Sequence, residues 1–558
     1  MTQLTQNLQG FWNPEHGTKS NPLPFSNGLN KALMTLSQPV YIIDHCGQMA
    51  VVTGGEAHIG KSSSMSGNKD SYGIVAFAPS LPLEHLGARS FKMRHNIKYP
   101  YIAGAMANGI TSTQMVEAMA KNGMMGFFGS GGLSLSEVEN AVIHLKKNLE
   151  SLTPSLPWGI NLIHSHGDPE LEMAVVNLYI KHNVHCISAA AFMRITLPLV
   201  YYRLKGIHMD MEGRIITPNR MIAKVSRVEV ARQFFSPPPE KMVSELFQMG
   251  LISQEEAKLS QSIPMAQDLT AEADSGGHTD NRPAIALLPT MLSLGDEFNE
   301  KFNYQEPLCV GLAGGISTPE STAAAFNMGA AYVLTGSINQ SCIESGTSDT
   351  VRELLAQAEQ ADVAMAPAAD MFEIGAKVQV LKRGTMFSVR ADKLYHIYKN
   401  YDNFESVPEK IRKEIEEKFL QATFEQKWKE TEAFFKVRNI KELQRAESDP
   451  RHKMALVFRS YLGLSSRWSI AGDPSRRMDY QIWCGPSMGA FNKWVKGSFL
   501  EKTQNRKVAD VALNLLFGAS ICTRAGWLRN QGVDLPAGAG RFAPVDLERL
   551  YYYCIPNN

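Results

Sequence analysis

The sequence predicts an α/β protein built on a closed (β/α)8 barrel, and three observations lead there. Eight short apolar segments recur between residues 98 and 337, most of them followed by a helical pattern. The segments are near-continuously apolar rather than alternating, as in strands of a parallel sheet covered on both faces. The last two carry paired glycine turns, Ala313-Gly-Gly315 and Thr335-Gly-Ser337, as expected of the final βα units of a barrel with a phosphate site. An open doubly wound sheet is the alternative fold.

Residues 100–106 form the first strand, which ends in Gly104, Ala105 and Met106. Thr111 and Gln114 have the spacing of a capping box for a helix that stops at Asn122 and Gly123. Residues 124–128 are the second strand, and Ser134 with Glu137 caps a helix over 138–149. The third strand, 158–163, carries Asn161; a helix over 168–181 leads to the fourth strand, 184–188. The fifth, 221–226, carries Lys224, and the sixth, 268–273, runs into Asp274-Ser-Gly-Gly-His278. Residues 308–312 and 331–334 complete the set. Thr318 and Pro319 open the helix between them, and Gly329 is placed to end it. A stiff Ser236-Pro-Pro-Pro239 break begins a helical insert over 236–265, expected near the barrel mouth, whose second helix is capped by Ser253 and Glu256.

The barrel domain is expected to span 98–395. Before it, 1–97 read as an α+β flanking region with a hairpin (39–44 and 49–53), a loop over 54–70 and a strand at 72–78. After it, 350–361 is a helix and 365–382 leads away from the barrel. Residues 396–558 are expected to form a helical lid and C-terminal region, with an amphipathic helix pair over 408–437. Within it, 467–507 hold eight Lys/Arg against three acidic residues, together with Trp468, Trp483 and Trp494. That stretch is either a solvated, partly aromatic surface or a docking face for an acidic partner.

A net charge of +1 over 558 residues argues against a nucleic-acid binder. Hydrophobic content of 44% with 20% charged residues fits a globular protein with a large core. Seven scattered cysteines without a CxxC pair suggest reduced thiols in the cytoplasm. Residues 1–24 lack the apolar core of a secretory signal, and no run of about 20 apolar residues predicts a membrane span.

In such a barrel the chemistry lies at the C-terminal ends of the strands. Collected there are Ala105, Met106, Asn108, Asn161, Lys224, Ser226, Glu272, Asp274, Gly276, Gly277, His278, Gly314, Gly315, Gly336 and Ser337. Bare backbone N–H groups at the last four can cradle a phosphate. Lys224 can set positive charge beside an electron-rich ring or oxyanion, or be held in a buried salt bridge. His278 can donate a proton near neutral pH. His164-Ser-His166 has no carboxylate partner in the sequence pattern, and no metal is expected. Gly485-Pro-Ser487 does not make a nucleophile elbow.

Read in order, Pro100-x-x-x-Gly-x-Met106, Trp158-Gly-Ile-Asn161, Ala223-Lys224, Asp274-Ser-Gly-Gly-His278, Ala313-Gly-Gly315 and Thr335-Gly-Ser337 resemble the nitronate monooxygenase and FMN-dependent enoyl reductase superfamily over about 98–345. The string Ala271-Glu-Ala-Asp-Ser-Gly-Gly-His-Thr-Asp-Asn-Arg-Pro283 more narrowly resembles the stand-alone, trans-acting enoyl reductases of polyunsaturated fatty-acid and polyketide synthases, over most of the chain. The resemblance implies FMN, with Ala105 and Met106 along the flavin, and Asn161 and Lys224 bonding its ring or ribityl chain. It places Gly276 and Gly277 beside the cofactor, Gly314, Gly315, Gly336 and Ser337 on its phosphate, and makes His278 the active-site histidine. It further implies NADPH as hydride donor, a carrier-bound enoyl thioester as substrate, other synthase subunits as partners, and a homodimer. The acidic carrier would dock on Arg476, Arg477, Lys493 and Lys496. A flavin oxidase acting on nitronates, a non-catalytic scaffold subunit and a sugar-phosphate isomerase are the alternatives.

Overall fold

The computed structural model describes residues 10–14, 21–59, 71–164 and 169–554. Its centre is a closed eight-stranded parallel barrel: β1 (Tyr101–Ala103), β2 (Met125–Phe128), β3 (Gly159–Ile163), β4 (Cys186–Ala190), β5 (Arg220–Val225), β6 (Asp268–Glu272), β7 (Cys309–Ala313) and β8 (Val333–Thr335). Neighbours in sequence are neighbours in the sheet, and β8 pairs with β1 to close it. All eight lie where the apolar segments predict, because a parallel strand buried on both faces needs an apolar run.

Alternation along the strands fills the interior. Ile102, Met125, Phe127, Cys186, Ile222, Cys309 and Leu334 make one apolar cluster with Tyr332. A Cβ at Gly159 would meet the Phe127 ring at 2.3 Å, and one at Gly311 the Tyr332 ring at 2.4 Å. Both glycines make room for an aromatic ring inside the barrel.

The base is plugged from the N-terminal side by the helix Arg89–His95. Phe91 stacks on Tyr332 with ring centroids 4.0 Å apart. Arg94 and His95 both meet the carboxylate of Asp268, the first residue of β6, with His95 Nε2 2.8 Å from its Oδ2. Arg94 also bonds Glu306 at 2.6 Å and donates to the Pro307 carbonyl at 2.7 Å.

The helices Glu240–Gln248 and Gln254–Leu259 form the expected insert, and Ser253 and Glu256 make the expected capping box. Its position differs from expectation. The insert follows the helix after β5, so it returns to the N-terminal end of β6 and lies at the base, not the mouth. Arg203 ties it there, donating to the carbonyls of Pro264 and Asn219 and to Gln267 Oε1.

The mouth is covered by other elements. Residues 365–382, expected to lead away, turn back as the antiparallel strands Val363–Pro367 and Lys377–Leu381, the second of which also pairs with Gly277–His278. Behind them lie the helices Phe387–Asn400, Glu409–Glu414 (continuing through a π-helical turn, Ile415–Leu420), Phe424–Arg438, Ile440–Ser448 and Pro450–Ala471. They enclose a second core that includes Phe372, Phe404, Phe419, Phe424, Phe458 and Tyr461. Asn108 Nδ2 at the mouth donates to Ser466 Oγ on the last of these helices, at 3.2 Å.

The N-terminal region is a six-stranded sheet containing the expected hairpin, Val40–His45 with Gln48–Thr53. Glu56–Ile59 is a strand paired with Gly10–Asn13, where a loop was expected; residues 60–70 of that loop lie outside the described residues. The helix Val508–Asn530 is long and apolar enough to cross a membrane, although no such run was expected. It is a core helix here: 89% of its apolar window is buried, Gly518 lets it approach Pro319 on the helix Pro319–Asn327, and Arg524 donates to the carbonyls of Leu33, Thr35, Gln38 and Pro79.

Burial pushes the Asp268 carboxyl up, but Arg94 and His95 outweigh it and hold it below the ordinary carboxylate value. A depressed carboxylate stabilises the fold above its unfolded value of about 3.9, and that stability is lost as pH falls through the folded value. Asp268→Asn removes the buried carboxylate shared by Arg94 and His95, leaving Arg94 only the partly exposed Glu306 as counter-charge, and is expected to cost about 3 kcal/mol. It also removes this component of acid sensitivity. Urea midpoints recorded from pH 3 to 7 check both; an unchanged midpoint would dismiss the plug.

Candidate functional site

The C-terminal ends of the strands bring most of the expected residues around one mouth. At β1 the turn Gly104-Ala105-Met106 is held by Thr111, whose Oγ1 donates to the Gly104 carbonyl at 2.7 Å and accepts from Met106 N–H at 2.9 Å. Thr111 therefore does not cap the following helix. Ser112 does, accepting from Met115 N–H at 3.1 Å.

Asn161 is buried at β3. Its Oδ1 accepts from Ser130 N–H at 2.7 Å and from Ser130 Oγ at 2.9 Å. A backbone N–H can only donate, so this fixes the amide orientation and leaves Nδ2 as a donor. Tyr179 OH supports the same corner through the Asn161 carbonyl at 2.8 Å. Neither Ser130 nor Tyr179 was singled out from sequence.

Lys224 on β5 and Glu272 on β6 both point inward, and Lys224 Nζ bonds Glu272 Oε1 at 2.6 Å. The salt-bridge reading of Lys224 holds, so its charge is partly compensated, and Nζ keeps further N–H donors beyond this bond.

The cradle is backbone. Gly314 and Gly315 have φ of +86° and +77°, and a Cβ on Gly314 would sit 2.7 Å from the backbone of Ala273 and Asp274. A Cβ on Gly315 or Gly336 would meet open space. Among the described residues, the N–H groups of Gly314, Gly315, Gly336 and Ser337 donate to no protein acceptor. Four unpaired donors from two adjacent strand ends suit an anion such as a phosphate. Ser337 Oγ accepts from Gly485 N–H at 3.1 Å, which leaves its hydroxyl hydrogen to donate as well. The intervening helix starts as expected, Thr318 Oγ1 accepting from Ser321 N–H behind Pro319.

The loop after β6 is stapled at several points. Asp274 Oδ1 accepts from Asn281 Nδ2 and Gln379 Nε2, both at 2.8 Å. Asp280 accepts from Ser226 at 2.6 Å and from Arg227 Nε at 2.9 Å. Gly276 has a structural reason to be glycine: a Cβ there would lie 2.8–3.0 Å from the Cys484 backbone. Gly277, at φ +83°, starts the short strand. His278 follows, half exposed, with Nε2 3.1 Å from Asp370 Oδ1. Burial pulls the imidazole pKa down, but the Asp370 carboxylate outweighs it and the net shift is upward.

His164 pairs with the buried carboxylate of Glu172 at 2.9 Å. The carboxylate partner thought absent from the sequence pattern thus lies on the helix that follows; His166 lies outside the described residues. Among the described residues no group of three His, Cys, Asp or Glu is arranged to hold a metal.

Of the four proposed docking cations, Arg476 does not belong to a surface. It is buried, donating to the carbonyls of Phe419 at 2.6 Å and Leu420 at 2.9 Å and pairing with Asp479. Arg477, Lys493 and Lys496 are exposed.

Residues 89–385 match the nitronate monooxygenase family, and 401–480 match the inserted helical domain of acyl-carrier-protein S-malonyltransferase. The chain belongs to the nitronate monooxygenase family. It is 40% identical to the enoyl reductase domain of MlnA from the macrolactin cluster of Bacillus amyloliquefaciens, with a TM-score of 0.75 over 81% of this chain and 99% of that one. It is 45% identical to the polyketide biosynthesis protein PksE of Bacillus subtilis (strain 168), over 78% of this chain and 56% of that protein. It is 43% identical to a polyunsaturated fatty acid synthase component of a Thraustochytrium species, over 80% of this chain and 30% of that one. The chain thus spans about half the length, or less, of these two curated relatives.

If Gly276 serves backbone packing, Gly276→Ala lowers the thermal midpoint by the same amount with and without added FMN, by roughly 1–3 kcal/mol of stability. A loss seen only in the FMN-loaded protein would assign the glycine to the cofactor instead.

Proposed function

We propose that this chain is an FMN-dependent enoyl reductase that reduces 2-enoyl thioesters presented on an acyl carrier protein during polyunsaturated fatty-acid or polyketide synthesis. The observation that carries the reading is the cradle of four unpaired N–H groups at Gly314, Gly315, Gly336 and Ser337, facing the same mouth as Asn161, Lys224 and His278. The similarity to the MlnA enoyl reductase domain supports the reaction, and the similarity to PksE and to the fatty-acid synthase component supports the pathway setting.

The donor set fits FMN. The cradle would hold the phosphate, Asn161 Nδ2 and the spare Lys224 donors would serve the ring and ribityl oxygens, and the small residues Gly104 and Ala105 with Met106 would give the ring a surface. When bound, FMN supplies hydride transfer from a reduced nicotinamide, taken to be NADPH, to Cβ of the enoyl thioester. The protein's own part is proton and charge management. As hydride reaches Cβ, negative charge develops on the thioester oxygen and Cα takes a proton. His278 donates Nε2–H to Asp370, so in the imidazolium form Nδ1–H is free to stabilise that oxygen or to deliver a proton to Cα. Burial pulls the imidazole pKa down, the Asp370 carboxylate outweighs it, and the net upward shift favours that protonated form.

The test is anaerobic. Protein loaded with FMN, yellow near ~450 nm as any flavoprotein is, is bleached with NADPH and mixed with crotonyl thioester. Rapid reoxidation in the wild type, slowed about 10²–10⁴-fold in His278→Ala with the FMN content unchanged, is the expected result. Reduction of the oxidised flavin by a nitronate, with reoxidation by oxygen and none by crotonyl thioester, would move the chain to the oxidase reading, and protein that stays colourless with added FMN would leave neither.

Arg477, Lys493 and Lys496 remain as cations for an acidic carrier, and the 401–480 match to a helical domain from an acyl-carrier-protein transferase supports such a partner. Reversing all three to Glu is expected to raise KM for a carrier-bound substrate several-fold at low salt while KM for the coenzyme A thioester stays put. Equal changes in both would remove the docking face from these residues.

A further inference from the structure

We propose that Asp370 is the positioning residue for His278, and that the helix Pro450–Ala471 braces it at the barrel mouth. The inference rests on the reductase reading and adds a residue to that site. His278 is carried by the barrel, on the loop after β6, whereas Asp370 stands on the turn that joins Val363–Pro367 to Lys377–Leu381. Asp370 Oδ1 is fixed at both ends: it accepts from Met371 N–H at 3.0 Å and lies 3.1 Å from His278 Nε2.

The turn itself is fastened to the helix Pro450–Ala471 on either side of Asp370. Arg459 Nε donates to the carbonyl of Ala369 at 3.1 Å. Three residues after Asp370, Glu373 meets the fully buried His452 at 3.1 Å and Arg445 at 2.9 Å. Glu442 closes this cluster on the far side of His452, at 2.8 Å. A helix that reaches the mouth at Asn108 thus also sets the carboxylate that orients the histidine.

Asp370 does two things. It holds Nε2, so that Nδ1 is the nitrogen turned to the substrate, and it stabilises the imidazolium. The other charged groups around the ring are Lys224 on β5, which opposes protonation, and Glu272 on β6, which favours it but is already paired with Lys224. On the ring's own loop, Asp274 and Asp280 are taken up by Asn281, Gln379, Ser226 and Arg227. That leaves Asp370 as the carboxylate committed to His278.

The test reads the histidine directly. In FMN-loaded protein with ¹³C-labelled histidine, the His278 resonance is assigned by its loss in His278→Gln and titrated by NMR. Asp370→Asn is expected to lower its pKa by a few tenths to about one unit, and Asp370→Glu to recover most of that, with the thermal midpoint unchanged in both. A His278 titration that Asp370→Asn does not move overturns the proposal. The enzymatic reading is judged separately: a wild type with an Asp370-dependent His278 titration that leaves crotonyl thioester unreduced keeps this inference and sinks the reductase.

Discussion

Strand β6 sends a carboxylate, a hydroxyl and a second carboxylate into the barrel, and a buried polar group has to be satisfied where it stands. Asp268 at the base takes Arg94 and His95. Thr270 in the middle takes the hydroxyl of Tyr332 at 2.7 Å. Glu272 at the mouth takes Lys224. Each requirement recruits a different part of the chain: the plug helix from the N-terminal side, the ring that stacks on Phe91, and the neighbouring strand. Because side chains alternate with a period of two, a one-residue slip of β6 would turn all three outward together. The register that closes the base is therefore the register that sets the mouth.

A second constraint is backbone against backbone. The segment around Cys484 and Gly485 passes so close to Ser275 and Gly276 that neither glycine has room for a Cβ. The same segment bridges Trp483 to Val380 and gives Gly485 N–H to Ser337. A region far along the chain thus touches both the histidine loop and the anion cradle. Such close approach excludes water from that flank of the site and makes the C-terminal region part of its wall.

The legible part of the molecule is the part whose physics is local. Eight apolar runs, the caps at Ser134, Ser253 and Thr318, and glycines at strand ends all read correctly, since each depends on neighbours within a few residues. The cap at Thr111 misread by one residue because its hydroxyl has a better tertiary use, bracing the Gly104–Met106 turn. Arg476 read as surface because cationic residues usually are, yet its guanidinium satisfies the carbonyls that end the π-helical turn at Phe419 and Leu420. The insert after β5 was assigned to the mouth although a helix-to-strand connection returns to the base. Asp370, Ser130 and Gln379 carried no local signal at all, since each acts through a partner 31 to 105 residues away.

The site inherits that division. The groups suited to binding a cofactor, the cradle and the Asn161 and Lys224 donors, sit on the barrel strands and are placed by the barrel's own closure. The groups that tune the histidine come through the small sheet and the helix Pro450–Ala471, which are packed around a separate core. Binding and proton handling are thus held by two bodies of structure that meet at Gly277–His278. The His278–Asp370 pair is water-accessible, and a pair that is only half buried gains strength when water is excluded from it. A ligand that filled the mouth would do that, so the proton would be held most tightly when the mouth is occupied.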